Sequence, residues 1–326
     1  MSLSGKICLV TGASRGIGRG IAAQLGQAGA TVYVTGQSGQ HLEQCAEIVN
    51  SRGGKCIPMA IDHSKDAQVT KLFETIKSEN HGQLDVLVYN AYAAVDLISW
   101  QTGQKFYKAD PIEQWDCING VGLRNHFLCS VYASRMMVER KDGLIVNISS
   151  AGGLKYLFNV AYGIGKAGCD RMAADCAHEL RKNNVTMVSL WPGPVKTEYI
   201  QENILTPGKQ HDNNLLRQTI QSFELGGFMA RPTSVNIFEN SESVEFAGKA
   251  IVKLAEDHKR IRKTGKILLV GDLARHYGFT DEDGDIHDMR SIKNFLKSRG
   301  QHRLASLIPG YLRFPLLLMH LTSNKF

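Results

Sequence analysis

The chain has 326 residues, 43% of them hydrophobic and 21% charged, a balance that excludes disorder and allows one large core or two modest ones. A formal charge of +7 suits an acidic partner or an anionic cofactor. With no zinc-ligand spacing and no interleaving of basic and aromatic residues, neither a metal nor nucleic acid is expected. Seven irregularly spaced cysteines without a signal sequence read as free thiols of a reducing compartment.

"ICLVTG" (7–12) reads as a buried strand ending in a glycine turn, so close to the first residue that no cleaved targeting peptide is expected. A helix from Gly16 to Gly29 and a second strand, "TVYVTG" (31–36), follow. The next helix, about 40–51, carries Leu42, Cys45, Ala46 and Val49 at helical spacing. "CIPMAID" (56–62) precedes a helix with Val69, Leu72, Phe73 and Ile76 on its apolar face. "DVLVYNA" (85–91), a helix over about 112–138, "GLIVNISS" (143–150), a helix over about 160–182, "VTMVSLWPG" (185–193) and "GKILLV" (265–270) complete the series. Short apolar strands alternating with helices predict an α/β fold: one doubly wound parallel sheet of about seven strands, helices on both faces, in a single domain over 1–275.

Two stretches break the rhythm. Residues 198–245 read as a long excursion at the carboxyl end of the sheet, where such segments shape a ligand crevice. Its apolar residues Ile204, Leu205, Leu215, Leu216, Ile220, Phe223, Leu225 and Phe228 suit either a lipophilic pocket or ordinary packing. Residues 276–326 form an extension containing "LASLIPGYLRFPLLLMHL" (304–321), apolar but interrupted by Arg313 and two prolines, hence a poor transmembrane span. It suits a membrane interface, a cover for the pocket, or a subunit contact.

Chemistry enters with "LVTGASRGIGRG". Gly12, Gly16 and Gly18 lie between a strand and a helix, where glycines allow a tight turn and a helix N-terminus favours a pyrophosphate. After the second strand, Gly36, Gln37 and Ser38 stand where an acidic residue would meet the ribose of NAD. With Arg15 able to meet a 2′-phosphate, NADP is the expected cofactor and NAD the alternative. Asp62 suits either the adenine amino group or a helix cap, and Asn90 either ribose or a turn.

Tyr162 and Lys166, at i and i+4, share one helical face. An ammonium beside a phenol eases proton transfer to a carbonyl oxygen, or from an alcohol. A serine from the "NISS" strand end would orient that oxygen. Ser149 and Ser150 both stand there.

Together these residues resemble the short-chain dehydrogenase/reductase family over residues 5 to about 275. The resemblance rests on TGASRGIG (11–18), YNAY (89–92), Asn119, ISS (148–150), YGIGK (162–166) and PGPVKT (192–197). It implies a Rossmann-type fold, with Tyr162 as acid/base, Lys166 tuning the phenol and binding ribose, and Asn119 supporting a helix kink and a proton-relay water. The family's usual serine-to-tyrosine separation selects Ser149, while its use of the second serine of the pair selects Ser150; Ser150 is preferred, because shortening a loop is easier than moving a strand-end side chain. Ser14, Ile17, Pro192, Gly193, Val195 and Thr197 would complete the cofactor contacts, Thr197 at the nicotinamide carboxamide. It also implies a homodimer or homotetramer formed through the helices over about 112–138 and 160–182, where Ala167, Ala173 and Ala174 allow close contact. Tyr92 departs from the glycine usual in that family, which puts the backbone beside the cofactor in question. YNAY and the long tail are similar to a branch whose members sit on internal membranes, the cytosolic face of the endoplasmic reticulum among them, and reduce lipophilic carbonyl compounds.

The expected activity is therefore NADPH-dependent reduction of lipophilic carbonyl compounds such as steroids or lipid-derived and xenobiotic ketones, with alcohol oxidation as the reverse. An acyl-thioester oxidoreductase is the alternative, with the basic run His258–Lys266 as a docking patch if exposed. A nucleotide-binding scaffold with little catalysis is a third reading.

Overall fold

The computed structural model describes residues 1–100, 104–205, 238, 241–298, 300–315 and 318. Its strands are Ile7–Val10 (β1), Thr31–Gly36 (β2), Lys55–Ala60 (β3), Val86–Tyr89 (β4), Gly143–Ile148 (β5), Val185–Trp191 (β6) and Ile267–Leu269 (β7). They pair in the order β3-β2-β1-β4-β5-β6-β7, every pair parallel. The helices between them are Gly16–Gln27 (α1), Gly39–Ser51 (α2), Asp66–Glu79 (α3), Val95–Trp100 (α4), Pro111–Trp115 (α5), Asn125–Arg140 (α6) and Val160–Leu180 (α7).

Both faces of the sheet are covered, which is why its strands read as unbroken apolar runs. Cys8, Val10, Val32, Val34, Val86 and Val88 point to the face packed by α1, α2 and the helix Phe246–Glu256. Leu9, Tyr33, Leu87 and Tyr89 point to the other, against α3, α6 and α7. The period of two along each strand makes this division. All four apolar residues expected on α3 are buried.

The single helix expected over 112–138 is instead three pieces. Between α5 and α6, residues Asp116–Arg124 wind as a π-helix, with one extra residue per turn. Periodicity does not reveal such a stretch, because Ile118, Val121 and Leu123 are too few apolar residues to show a change of period.

The extension folds back on the domain. Ser291 and Arg313 form an antiparallel bridge, and Phe314 meets Phe295 with centroids 5.5 Å apart. Arg313 pairs with Asp272 and with Asp288 (2.7 Å), which also takes Arg275 at 3.0 Å. The charge that interrupts the apolar run is thus an anchor. Leu304, Leu307, Tyr311 and Leu312 remain exposed, while residues 316, 317 and 319–321 of the run lie outside the described residues. No helix among the described residues is long and apolar enough to cross a membrane. All seven cysteines are free thiols.

Two imidazoles are buried without charge. His63 shares a 2.6 Å hydrogen bond with Thr35 Oγ1, and burial pushes its pKa from 6.5 to about 4. Burial, aided by the Lys166 charge, pushes His126 to about 3. Because both folded values are depressed, the stability they contribute is complete above pH 6.5 and is lost as the pH falls through about 4 and about 3. Replacing His63 with Gln should flatten the loss of unfolding free energy between pH 6.5 and 4. The change should reach at most about 1.4 kcal/mol per pH unit, read by urea unfolding across that range.

Candidate active site

The carboxyl ends of β1, β4, β5 and β6 open into a cavity of about 690 Å³, within the range of small-molecule sites. Of the residues expected at a cofactor, Gly12, Ser14, Arg15, Gly16, Ile17, Gln37, Asp62, Asn90, Tyr162, Lys166, Pro192, Gly193, Val195 and Thr197 all line it. Gly18 does not. A Cβ there would collide with the Gly12 carbonyl, so this glycine lets α1 close on its own entry loop. Gly12 has φ +65°, and a Cβ on it would come within 2.6 Å of the Ala91 Cα.

Other polar groups brace this loop. The Asn90 side-chain amide donates to the Gly12 carbonyl at 2.8 Å, joining the ends of β1 and β4. Gly16 N–H donates to Glu198 Oε2 at 2.8 Å, and Arg19 pairs with the same carboxylate, tying the loop after β6 to the start of α1. Arg15 is exposed where it lines the cavity, and His41 lines it beside Gln37 and Ser38. Asp62 does not cap α3, whose N-cap is Lys65; its carboxylate instead accepts from Ser64 N–H at 2.9 Å and is held below the usual range by that bond.

Residues 192–197 are clamped from the far end of the excursion. Glu242 N–H donates to the Pro194 carbonyl, and the Glu242 carbonyl accepts from Lys196 N–H, each at 2.9 Å. Its side chain accepts from Gly193 N–H at 2.8 Å. Burial raises this carboxyl well above its ordinary value. Of the apolar residues named in the excursion, Leu215, Leu216, Ile220, Phe223, Leu225 and Phe228 lie outside the described residues, as does the Ile204 side chain.

The two serines separate cleanly. Ser150 Oγ lies 2.8 Å from Tyr162 Oη, whereas Ser149 Oγ donates to the Lys166 carbonyl at 3.2 Å. Lys166 Nζ donates to the Ile148 carbonyl at 3.1 Å and faces the rings of both Tyr92 and Tyr162. Phe158 meets the Tyr162 ring edge to face at 4.9 Å. Asn119 lies in the π-helical stretch; its amide donates to the Ala161 carbonyl at 3.2 Å, while Oδ1 is buried without a partner. Oδ1 lies against Gly165, which has no side chain to displace it.

The cavity and its glycine loop fit a nicotinamide dinucleotide. α1 begins in glycines with no acidic residue in its own first turn, and the Glu198 carboxylate held at Gly16 N–H shows that this N-terminus accepts an anion. The family model for short chain dehydrogenases matches residues 6–207. The chain belongs to the short-chain dehydrogenase/reductase family. As such it is an NAD(P)-dependent oxidoreductase. This short-chain dehydrogenase/reductase is 45% identical to the human protein "Dehydrogenase/reductase SDR family member 1" over 326 residues, 99% of each chain. It is 34% identical to the 3-oxoacyl-[acyl-carrier-protein] reductase FabG of Aquifex aeolicus over 200 residues, 61% of this chain and 77% of that one. Among solved structures, a metagenomic short-chain oxidoreductase in complex with NADP superposes with TM-score 0.61 at 25% identity, covering 82% of this chain and 97% of that one.

Several site residues carry no sequence signal of their own. Glu198, Glu242 and Asp170 belong to no recognisable motif and are brought in by chain closure. Asp170, buried one turn beyond Lys166, accepts from Ser189 and Trp191 on β6. A Cβ on Gly165 would collide with Asn119 Oδ1. Gly165→Ala should therefore displace Asn119 and destabilise the fold by about 1–3 kcal/mol, read by denaturant unfolding, with a matching loss of turnover.

Proposed function

We propose that the protein is an NADPH-dependent reductase of lipophilic ketones and aldehydes, working in reverse on the corresponding alcohols. The observation that carries this reading is the 2.8 Å contact between Ser150 Oγ and Tyr162 Oη, beside Lys166. When bound, the nicotinamide supplies or accepts the hydride. Tyr162 gives its phenolic proton to the carbonyl oxygen, and Ser150 holds that oxygen toward it. Lys166 places positive charge where the phenol loses its proton, and Asn119 braces the π-helical stretch against α7 through the Ala161 carbonyl. Leu157, Phe158, Ile200, Phe238 and Met289 offer the substrate an apolar lining. Tyr162→Phe should abolish NADPH consumption over a panel of hydrophobic ketones, aldehydes and acyl thioesters. Ser150→Ala should lower it about a hundredfold and Ser149→Ala far less. Retained turnover in Tyr162→Phe would sink the assignment.

NADP is favoured over NAD by the exposed Arg15, by the lack of an acid after β2, and by the NADP complex of the metagenomic relative. Arg15→Glu should raise the Kd for NADPH at least about tenfold more than that for NADH, measured by fluorescence quenching. The acyl-thioester reading has the bacterial reductase in its favour. Against it, Arg260 and Lys263 of the basic run already pair with Asp142 and Asp257.

The protein is further proposed to self-associate through α6 and α7, where Phe127 and Ile164 are exposed, and to rest peripherally on an internal membrane through Leu304, Leu307 and Tyr311. Leu304→Asp/Leu307→Asp should stop co-flotation with phospholipid vesicles and leave the sedimentation mass unchanged. A fall in mass would make this surface a subunit contact instead.

A further inference from the structure

Tyr92 lies just beyond β4, with its ring lining the cavity and its hydroxyl buried without a hydrogen-bond partner. Burial and the neighbouring Tyr162 push this phenol upward, so it stays neutral and is unsuited to proton exchange. What it offers is the ring. The Lys166 ammonium is 5.2 Å from the Tyr92 centroid and 5.7 Å from the Tyr162 centroid, so one cation faces both rings. The rings themselves meet edge to face, with centroids 6.2 Å apart and planes at 87°. Behind Tyr92 stands Gly122 of the π-helical stretch, where a Cβ would approach the ring carbons to 2.9 Å. Ala94, Ile118 and Ala161 form the apolar cluster against which the ring packs. The ring is therefore held from behind and presents its face to Lys166.

We infer that Tyr92 is a positioning residue of the reaction: its ring holds the Lys166 ammonium against Tyr162 and so governs how readily the Tyr162 hydroxyl exchanges its proton. An aromatic face attracts a cation most strongly where water is excluded, and here it does so without consuming a hydrogen-bonding position. A side chain of equal bulk with no π face would fill the space but leave the ammonium tethered mainly by the Ile148 carbonyl. The inference rests on Tyr162 being the proton donor.

Other titratable groups surround the pair. His126 is held by the Ala91 carbonyl, Cys169 by the Gly122 carbonyl and Asp170 by Ser189 and Trp191; Cys117 packs beside Tyr92. All are common to the variants compared below, so a difference among those variants reports on residue 92.

The test compares the parent with Tyr92→Phe and Tyr92→Met, which fill similar volume with and without an aromatic face. NADPH oxidation and the reverse alcohol oxidation are followed from pH 6 to 10. Tyr92→Met should lower kcat about tenfold and move the alcohol-oxidation profile to higher pH by about half a unit or more. Tyr92→Phe should restore both. Tyr92→Met with the parent's kcat and profile would overturn the inference, as would Tyr92→Phe failing like Tyr92→Met, since the hydroxyl would then be what matters. Melting temperatures identify a variant that fails to fold, in which case Tyr92→Leu replaces Tyr92→Met in the same comparison. If Tyr162→Phe keeps full activity, the reading of Tyr162 falls instead, which separates the two failures.

Discussion

The site depends on how α7 is fastened to the end of β5. Three hydrogen bonds cross between residues 147–149 and 166–169. Asn147 donates to the Cys169 carbonyl at 2.9 Å, Ser149 to the Lys166 carbonyl at 3.2 Å, and the Lys166 ammonium to the Ile148 carbonyl at 3.1 Å. With strand and helix locked in one register, Ser150 and Tyr162 can meet only as they do. Buried polar bonds of this kind are costly to leave unmade, so the register is strongly held. Ser149 is spent on that brace, and Ser150 is the serine left facing the phenol.

From that brace the site extends by closure rather than by local structure. Glu198 returns from β6 to the start of α1, Glu242 returns from the far end of the excursion to Gly193, and Asn119 reaches from the π-helical stretch to Ala161. Each link joins a loop at the sheet's carboxyl edge to another element, so the cavity is walled by several distant parts of the chain. Around Lys166, buried His126 is kept without charge and the Cys169 thiol is raised by burial. Asp170 is the acidic group coupled to the ammonium there; burial raises its carboxyl, against hydrogen bonds from Ser189 and Trp191.

Much of this was legible in one dimension. Alternating apolar strands and amphipathic helices foretold the parallel sheet, since a doubly covered sheet must be built from short continuous apolar runs. The glycine loop was legible because positive φ and close backbone approach admit few other residues, as at Gly12. The break between α5 and α6 was not, because residues 116–124 carry too few apolar side chains to show a change of period. The motif places Gly18 among the cofactor glycines, and in the structure a Cβ there would meet the Gly12 carbonyl; both roles demand the same missing side chain. The choice between Asp62 as a cap or a cavity residue turned on where α3 begins, which spacing alone left open.

The sequence by itself determined the order of elements, the strand-end chemistry and the i, i+4 pairing of Tyr162 with Lys166, because each depends on residues near one another along the chain. Tertiary structure alone decided which serine faces the tyrosine, what Tyr92 touches, and that Arg313 anchors the extension to Asp272 and Asp288. Those outcomes depend on the register between elements separated by tens of residues. Packing and buried hydrogen bonds set that register, and no local pattern encodes it.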